Sequence, residues 1–437
     1  MAKVTLTPKA KVDKTKKFGF SDIHNLVDTI AKKTAVVVVK EDYVADRIST
    51  GIFTLNACIS GSLFGGIKGD AITVWAGPEA SGKTYLALNV CREAQKKDYQ
   101  IFYIDTENSL SRQDFPRYGI KNDLDHLILL NENRIERLNQ FLTQFLDELR
   151  AKKMAGETIP KMIMVLDSLA QLASNKEKDD LLEGNSKQDM TKAKSIGSLF
   201  RSITMDLAYL EIPFMVNNQT YQTMDMFPKE IMKGGKSLYY SASNITFLGK
   251  SKYKTGQEDE YDLQSGILVT AKAIKNRQSK PKKVQFVIDY EKGCNPYSGL
   301  EMFCQPQFFD KIGIAKGKMV KLPKPVEKID ESTGEVTMVD HEFNATGNRW
   351  YIRHLGKSVT TKELHTPIVF TEEVLNAIEP LAQAYFKYRS VEEIEEEHRK
   401  IAEKAEVSYE ELTAAPVTDE DVLDDFIDDD LLGEDEE

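Results

Sequence analysis

Eight residues constrain this chain more than any others: Gly77-Pro78-Glu79-Ala80-Ser81-Gly82-Lys83-Thr84 satisfies G-x-x-x-x-G-K-[ST] at every fixed position. The apolar run 71–76 precedes it and a helix-like run, 85–90, follows, so the pattern predicts strand, tight loop and helix in that order. A phosphate-cradling loop requires that order. Gly77 and Gly82 let the backbone curl until successive N–H groups point inward, at the positive end of the coming helix. Pro78, Glu79, Ala80 and Ser81 complete the cradle, Lys83 would reach the β and γ phosphates, and the Thr84 hydroxyl would ligate magnesium. A nucleoside triphosphate is the implied ligand; a chance glycine-rich turn would need neither strand nor helix.

At 437 residues the chain is long enough for two or three domains. No apolar run reaches membrane-spanning length and no secretory signal opens the sequence, so a soluble, cytoplasmic protein without a membrane partner is expected. Cys58, Cys91, Cys294 and Cys304 are widely spaced, which argues for buried thiols rather than zinc or a disulfide framework. A net charge of −11 would disfavour nucleic acid if it were evenly spread. Residues 419–437 hold twelve acidic side chains and no basic one, however, so the rest of the chain comes to +1. Within that rest, basic clusters at 3–17, 272–283 and 316–328 are either solvated faces or contacts for a polyanion.

From about residue 46, apolar runs alternate with amphipathic helices, the pattern of a parallel sheet covered by helices. The runs 71–76, 101–104, 162–166, 213–216, 245–248, 267–273 and 284–288 are expected strands. Stripes at helical spacing, such as Ile135, Leu138, Leu142 and Leu146, or Ile196, Leu199, Phe200, Ile203 and Leu207, are expected core. Residues 1–45 read as an arm, with a short helix carrying Ile23, Leu26, Val27 and Ile30 and a strand at 36–39, suited to packing on this subunit or on a neighbour. Beyond 299 the alternation stops. Residues 300–405 read as a small C-terminal α/β domain and 406–437 as a disordered acidic tail. The expected fold class is α/β, with a mostly parallel sheet flanked by helices over 46–299.

In such a sheet the working residues gather at the carboxyl ends of the strands. Asp167-Ser168 closes the run 162–166, where a carboxylate would hold magnesium through water. Asp105 and Glu107 follow 101–104, and Glu107, two residues past the strand, is the better placed to activate water. A helix cap is the plain alternative for each carboxylate, disfavoured by the phosphate loop nearby. Asn217-Asn218-Gln219 opens a polar segment, 220–236, and an amide there would bond a γ phosphate and release it after hydrolysis. A second long segment, 174–189, follows the Asp167 strand. Loops of this length are functional or disordered.

With these residues assembled, 49–299 resembles the RecA family of strand-exchange recombinases, most closely its phage UvsX type. Ser49-Thr50-Gly51, residues 77–84, Ile104-Asp105-Thr106-Glu107, Leu166-Asp167-Ser168, Asn218-Gln219, Gly234-Gly235 and Lys275-Asn276-Arg277 carry the resemblance in order, and 190–201 is similar to the phage branch. The resemblance implies a RecA-like ATPase core and a helical filament, assembled with ATP and Mg2+ on single-stranded DNA, that pairs with homologous duplex DNA and exchanges strands with DNA-stimulated hydrolysis. It implies Glu107 as the base, Gln219 as the γ-phosphate sensor, and Lys275 and Arg277 reaching a neighbouring subunit's phosphates. Read without it, those last two are equally a solvated basic strand end.

The same resemblance makes 174–189 and 220–236 the DNA-binding loops. Lys176, Lys178 and Lys187 in the first, beside the acidic Glu177, Asp179, Asp180 and Glu183, and Lys229, Lys233 and Lys236 in the second would attract the phosphate backbone. The family's adenine-stacking position falls at Asp114, which leaves Phe115, one residue on, as the candidate. A single-strand binding protein and a recombination mediator are the implied partners, and the acidic tail would compete with DNA for basic surfaces. Two rival readings share the core. A ring-shaped helicase would need more than 45 residues ahead of it, and a mediator using ATP only as a switch would not need Glu107.

Overall fold

The computed structural model describes residues 42–183, 191–224, 228–234, 236–254, 264–316 and 349–405, with five positions between 23 and 30 and short pieces at 320–321, 326–329, 336–339 and 342–343. Residues 1–44 and 45–437 form two units. In the first, Ile23, Leu26, Val27 and Ile30 are helical with exposed side chains. The strand expected at 36–39, the tail at 406–437 and Lys187 lie outside the described residues.

The second unit opens with β1 (Arg47–Ile48) paired antiparallel to β2 (Ile67–Lys68) around helix α1 (Phe53–Ser60). Then come β3 (Ile72–Gly77), α2 (Lys83–Gln95), β4 (Gln100–Asp105), β5 (Leu127–Asn131), α3 (Ile135–Met154), β6 (Met162–Asp167), α4 (Asn175–Glu183) and α5 (Thr191–Leu210). They are followed by β7 (Phe214–Gln222), β8 (Glu230–Met232), α6 (Lys236–Ser241), β9 (Asn244–Tyr253), β10 (Gly266–Asn276), β11 (Lys283–Asp289) and β12 (Gly293–Cys294). One sheet joins them in the order β12-β11-β10-β9-β3-β7-β6-β4-β5, with β8 bonded to β7. From β9 to β5 every pairing is parallel; β10, β11 and β12 extend the sheet antiparallel.

Strand side chains alternate between the two faces, and each face has its own core. In β3, Ile72, Val74 and Ala76 point into a core made with Leu138, Leu142 and Leu146 of α3 and Leu199, Phe200, Ile203 and Leu207 of α5. Trp75 points the other way, into a core made with Leu86, Ala87, Val90 and Cys91 of α2. Both helical stripes are therefore core residues on one face and α2 covers the other, so β3 is enclosed at the centre of the sheet with its carboxyl end carrying the loop.

Buried apolar residues of 300–405, expected as a small C-terminal α/β domain, share one cluster with those of α1 and α2. A three-stranded sheet of Ile314–Lys316, Arg349–Ile352 and Lys357–Thr360 and the helix Glu372–Phe386 follow. Ile378, Ala382 and Phe386 of that helix join the core of α1 and α2, because its apolar side lies against α1. Tyr297 stacks on Phe370 with ring centres 5.8 Å apart, and the Leu63 amide donates to Glu379 Oε2 at 2.8 Å. The apolar packing is continuous across 299–300.

Candidate functional site

The loop 77–84 leaves the carboxyl end of β3 and enters α2 as the sequence predicts, and its two fixed glycines are required for different reasons. A Cβ on Gly77 would stand 2.5 Å from the Leu248 carbonyl of β9. Gly82 caps α2 in the left-handed region, with φ of 88°. Lys83 folds back across the loop and donates from Nζ to the carbonyls of Gly77 and Pro78, at 3.0 and 2.7 Å. The Ser81 hydroxyl is buried and finds no partner among the described residues.

Three polar groups meet at Asp167 Oδ2 or next to it. Thr84 Oγ1 donates to it at 2.7 Å, and so does the hydroxyl of Tyr103, also at 2.7 Å. Tyr103 is fully buried, and burial together with the Asp167 charge pushes its pKa well above the usual tyrosine value, so it remains a donor. One residue on, across a cis Asp167–Ser168 peptide bond, the Ser168 hydroxyl donates to Glu107 Oε1 at 2.7 Å. Thr106 fastens this corner from the next strand: its hydroxyl donates to the Ser168 carbonyl and accepts from the Ser168 amide, each at 2.8 Å.

The two carboxylates that follow β4 do different things. Asp105 is buried and accepts from the amides of Glu107, Ser109 and Leu110, at 2.9, 2.8 and 2.9 Å, so it folds the turn. Glu107 stands exposed beyond the turn, held by Ser168 alone among these contacts. Of the pair, only Glu107 has an oxygen to offer a ligand.

Gln219 lies directly beside Gly77 in the β3–β7 register. Its Oε1 accepts from Lys233 Nζ at 3.0 Å, and its backbone carbonyl accepts from the Lys233 amide at 3.0 Å. The segment 220–236, expected as a loop, is largely a hairpin: Thr220, Tyr221 and Gln222 of β7 pair with Met232, Ile231 and Glu230 of β8. Thr220 Oγ1 donates to Glu230 Oε1 at 2.7 Å, and Thr223 and Lys229 close the described part of the turn. The segment 174–189 likewise contains helix α4, started by Ser174, whose Oγ accepts from the Glu177 amide at 2.9 Å. Lys176 and Lys178 are exposed on α4, and Lys233 is exposed beside the hairpin; the Lys236 side chain lies outside the described residues.

Lys275 and Arg277 are elsewhere. Lys275 pairs with Ile245, and Ile245 with Val74, so they stand towards the start of the parallel strands, about three residues or roughly 10 Å short of Gly77 along β3. Arg277 Nη2 donates to the Tyr240 carbonyl at 3.1 Å, and Lys275 Nζ bonds the Tyr239 carbonyl and stands 4.9 Å from the Tyr239 ring centre. Burial first, and then Arg277, lower the Lys275 pKa to about 8.

Phe115, the candidate for adenine stacking, is not available to a ligand. It is fully buried, edge-on to Tyr103 at 5.5 Å between ring centres, because the 3-10 turn Phe115–Tyr118 rotates it into the core. No face of it is open to an adenine. The sequence reading also missed Tyr103, the positioning role of Ser168, and Lys250 of β9, whose Nζ donates to the Glu79 carbonyl at 2.7 Å. The one signal for Tyr103 was a hydroxyl in the otherwise apolar run 101–104.

The donor set suits a magnesium-bound phosphate: an orphaned Ser81 hydroxyl in a cradle that Cβ atoms would fill, and a threonine hydroxyl bonded to a strand-end carboxylate. Fold and loop together define a phosphate-loop α/β protein with an extended, mostly parallel sheet. The sequence pattern of the RecA N-terminal domain family matches residues 20–295, and the chain belongs to the RecA family. It is 30% identical over 307 residues to the recombination and repair protein of Enterobacteria phage T4, covering 69% of this chain and 72% of that protein. It is 27% identical over 276 residues to the mitochondrial DNA repair protein recA homolog 3 of Arabidopsis thaliana, covering 61% and 58%. Protein RecA of Mycoplasma mobile is 27% identical over 295 residues, covering 65% and 82%. Among the described residues no helix is long and apolar enough to cross a membrane.

Proposed function

We propose that this protein is an ATP-dependent recombinase that polymerises on single-stranded DNA, pairs it with homologous duplex DNA and exchanges strands, hydrolysing ATP in the process. The observation that carries this reading is Gln219, which adjoins Gly77 of the phosphate loop on one side and accepts from Lys233 of the basic hairpin on the other. A single residue therefore links the nucleotide end of the sheet, through its backbone, to the segment read as a DNA contact, through its side chain. The name of the phage relative, a recombination and repair protein, supports it.

Residues 77–84 would hold ATP, with Thr84 and Asp167 holding its magnesium, whose charge would ease phosphoryl transfer. Glu107 would take a proton from the attacking water, oriented by Ser168. Gln219 would turn from Lys233 to the terminal phosphate, freeing the hairpin to order around a DNA backbone. Lys176, Lys178, Lys187, Lys229, Lys233 and Lys236 would supply salt-sensitive attraction there. Lys275 and Arg277, distant from the subunit's own loop along the strands, would complete a neighbour's site, which makes hydrolysis a property of the filament. A single-strand binding protein and a mediator would be the partners during loading.

Electron microscopy of the full chain with single-stranded DNA and a slowly hydrolysed ATP analogue tests this. Continuous helical filaments are expected; closed rings encircling the strand would favour a helicase.

A further inference from the structure

Lys83 is not alone on the phosphate loop. Its Nζ holds the carbonyls of Gly77 and Pro78, and Lys250 Nζ holds the next carbonyl, that of Glu79, at 2.7 Å. Two ammonium groups thus cover three consecutive carbonyls. β9 comes close enough for this because Gly77 lacks a side chain: the Leu248 carbonyl would lie 2.5 Å from a Cβ there, and Lys250 is two residues along the same strand, projecting to the same face as Leu248.

Since a backbone carbonyl carries no net charge, the contact does not itself neutralise the Lys250 charge. That charge is also felt at Lys83: burial is the main influence lowering the Lys83 pKa, Asp167 and Glu107 raise it, and Lys250 lowers it further. The position along the loop is informative as well. The α2 N-terminus faces the inner phosphates and Lys83 the β and γ phosphates. The stretch on which Lys83 and Lys250 now rest, 77–79, therefore borders the terminal phosphate, and Glu79 is its exposed outer end.

We propose that Lys250 is a second phosphate-binding cation, supplied by the same subunit, which leaves the Glu79 carbonyl for the terminal phosphate of a bound nucleoside triphosphate. A charged phosphate oxygen is a stronger acceptor than a neutral carbonyl, so the transfer is favourable. A diphosphate offers no such oxygen, and Lys250 then stays on Glu79. Lys250 is thereby a determinant of triphosphate over diphosphate affinity, separate from Lys275 and Arg277 near the other end of the strands. The proposal rests on the nucleotide reading above and assigns a further residue to it.

Equilibrium binding of a non-hydrolysable ATP analogue and of ADP, each with magnesium and without DNA, tests it on the full-length wild type, Lys250→Met and Lys250→Arg. Lys250→Met is expected to weaken the analogue roughly tenfold and ADP by less than about twofold, with Lys250→Arg close to wild type for both. The side chain is exposed, so all three proteins should melt together, and a melt alongside checks the fold. Equal losses for both nucleotides would make Lys250 a brace of the loop and overturn the proposal, as would no loss for either. Failure of the wild type to bind either nucleotide would overturn the nucleotide reading itself along with it.

Discussion

The Ser168 hydroxyl donates to Glu107 Oε1 at 2.7 Å, while the backbone of Ser168 is tied on both sides to the Thr106 hydroxyl. The carboxylate read as the base is thus aimed from the adjacent strand β6 and not from its own turn. Ser168→Ala should leave nucleotide affinity near wild type and lower the turnover number roughly tenfold, because it releases the orientation of Glu107 without removing it. Glu107→Gln should cost about a hundredfold or more while binding persists. Steady-state ATPase kinetics with a nucleotide-binding assay separate the two; a Ser168→Ala enzyme altered only in KM would contradict the assignment.

Tyr103 and Thr84 share one oxygen of Asp167. Tyr103→Phe removes a fully buried donor to a carboxylate, at a cost of about 1.5–3 kcal/mol. The melting temperature should fall by a few degrees, and half-maximal turnover should need more magnesium because Asp167 is less firmly held. A melt and a magnesium titration measure the two effects. An unchanged magnesium requirement would confine Tyr103 to stability.

If Lys275 completes a neighbour's site as proposed, its lowered pKa would give assembly a pH dependence of definite sign. In the free subunit Lys275 titrates at about 8; beside a neighbour's phosphates its cation would be stabilised and its pKa raised. Assembly then takes up a proton. Its affinity should be full below about 8 and decline as pH rises through the assembled-state value. Lys275→Arg, always charged, should flatten that decline, and light scattering between pH 6.5 and 9.5, a range of about 3 units around this value, would record both.

Gly77→Ala puts a methyl group 2.5 Å from the Leu248 carbonyl and 2.8 Å from Ser81 Oγ. Since neither strand can retreat without breaking the sheet, the loop must shift. Nucleotide binding should fall at least about tenfold with circular dichroism unchanged. Binding at wild-type strength would mean that the β3–β9 spacing is softer than its hydrogen bonds suggest.

Much of this site is written locally in the sequence. A strand, a glycine loop and a helix in order predict Gly77, Gly82, Lys83 and Thr84, and an acid closing an apolar run predicts Asp167. What eluded the sequence depends on contacts that neither apolar periodicity nor a motif records. The hairpin of β7 and β8 has little apolar alternation and is held by its ladder and by Thr220 with Glu230; α4 is marked only by a serine cap in an acidic, lysine-rich stretch. The resemblance left Phe115, one residue past Asp114, as the candidate for adenine, but a short turn decides that it faces Tyr103. Lys250 looks like any charged strand end until β9 is laid beside β3. The continuity of packing across 299–300 depends on where the Glu372–Phe386 helix sets its apolar side, against α1, more than two hundred and fifty residues earlier.

Hydrolysis is proposed to belong to a filament on DNA, and the most direct test is ATP turnover by the full chain with and without single-stranded DNA over a range of protein concentrations. Strong stimulation by DNA that rises cooperatively with protein concentration is the predicted result. Turnover proportional to protein and indifferent to DNA would contradict it, and would leave Lys275, Arg277 and the basic hairpin without the roles proposed for them.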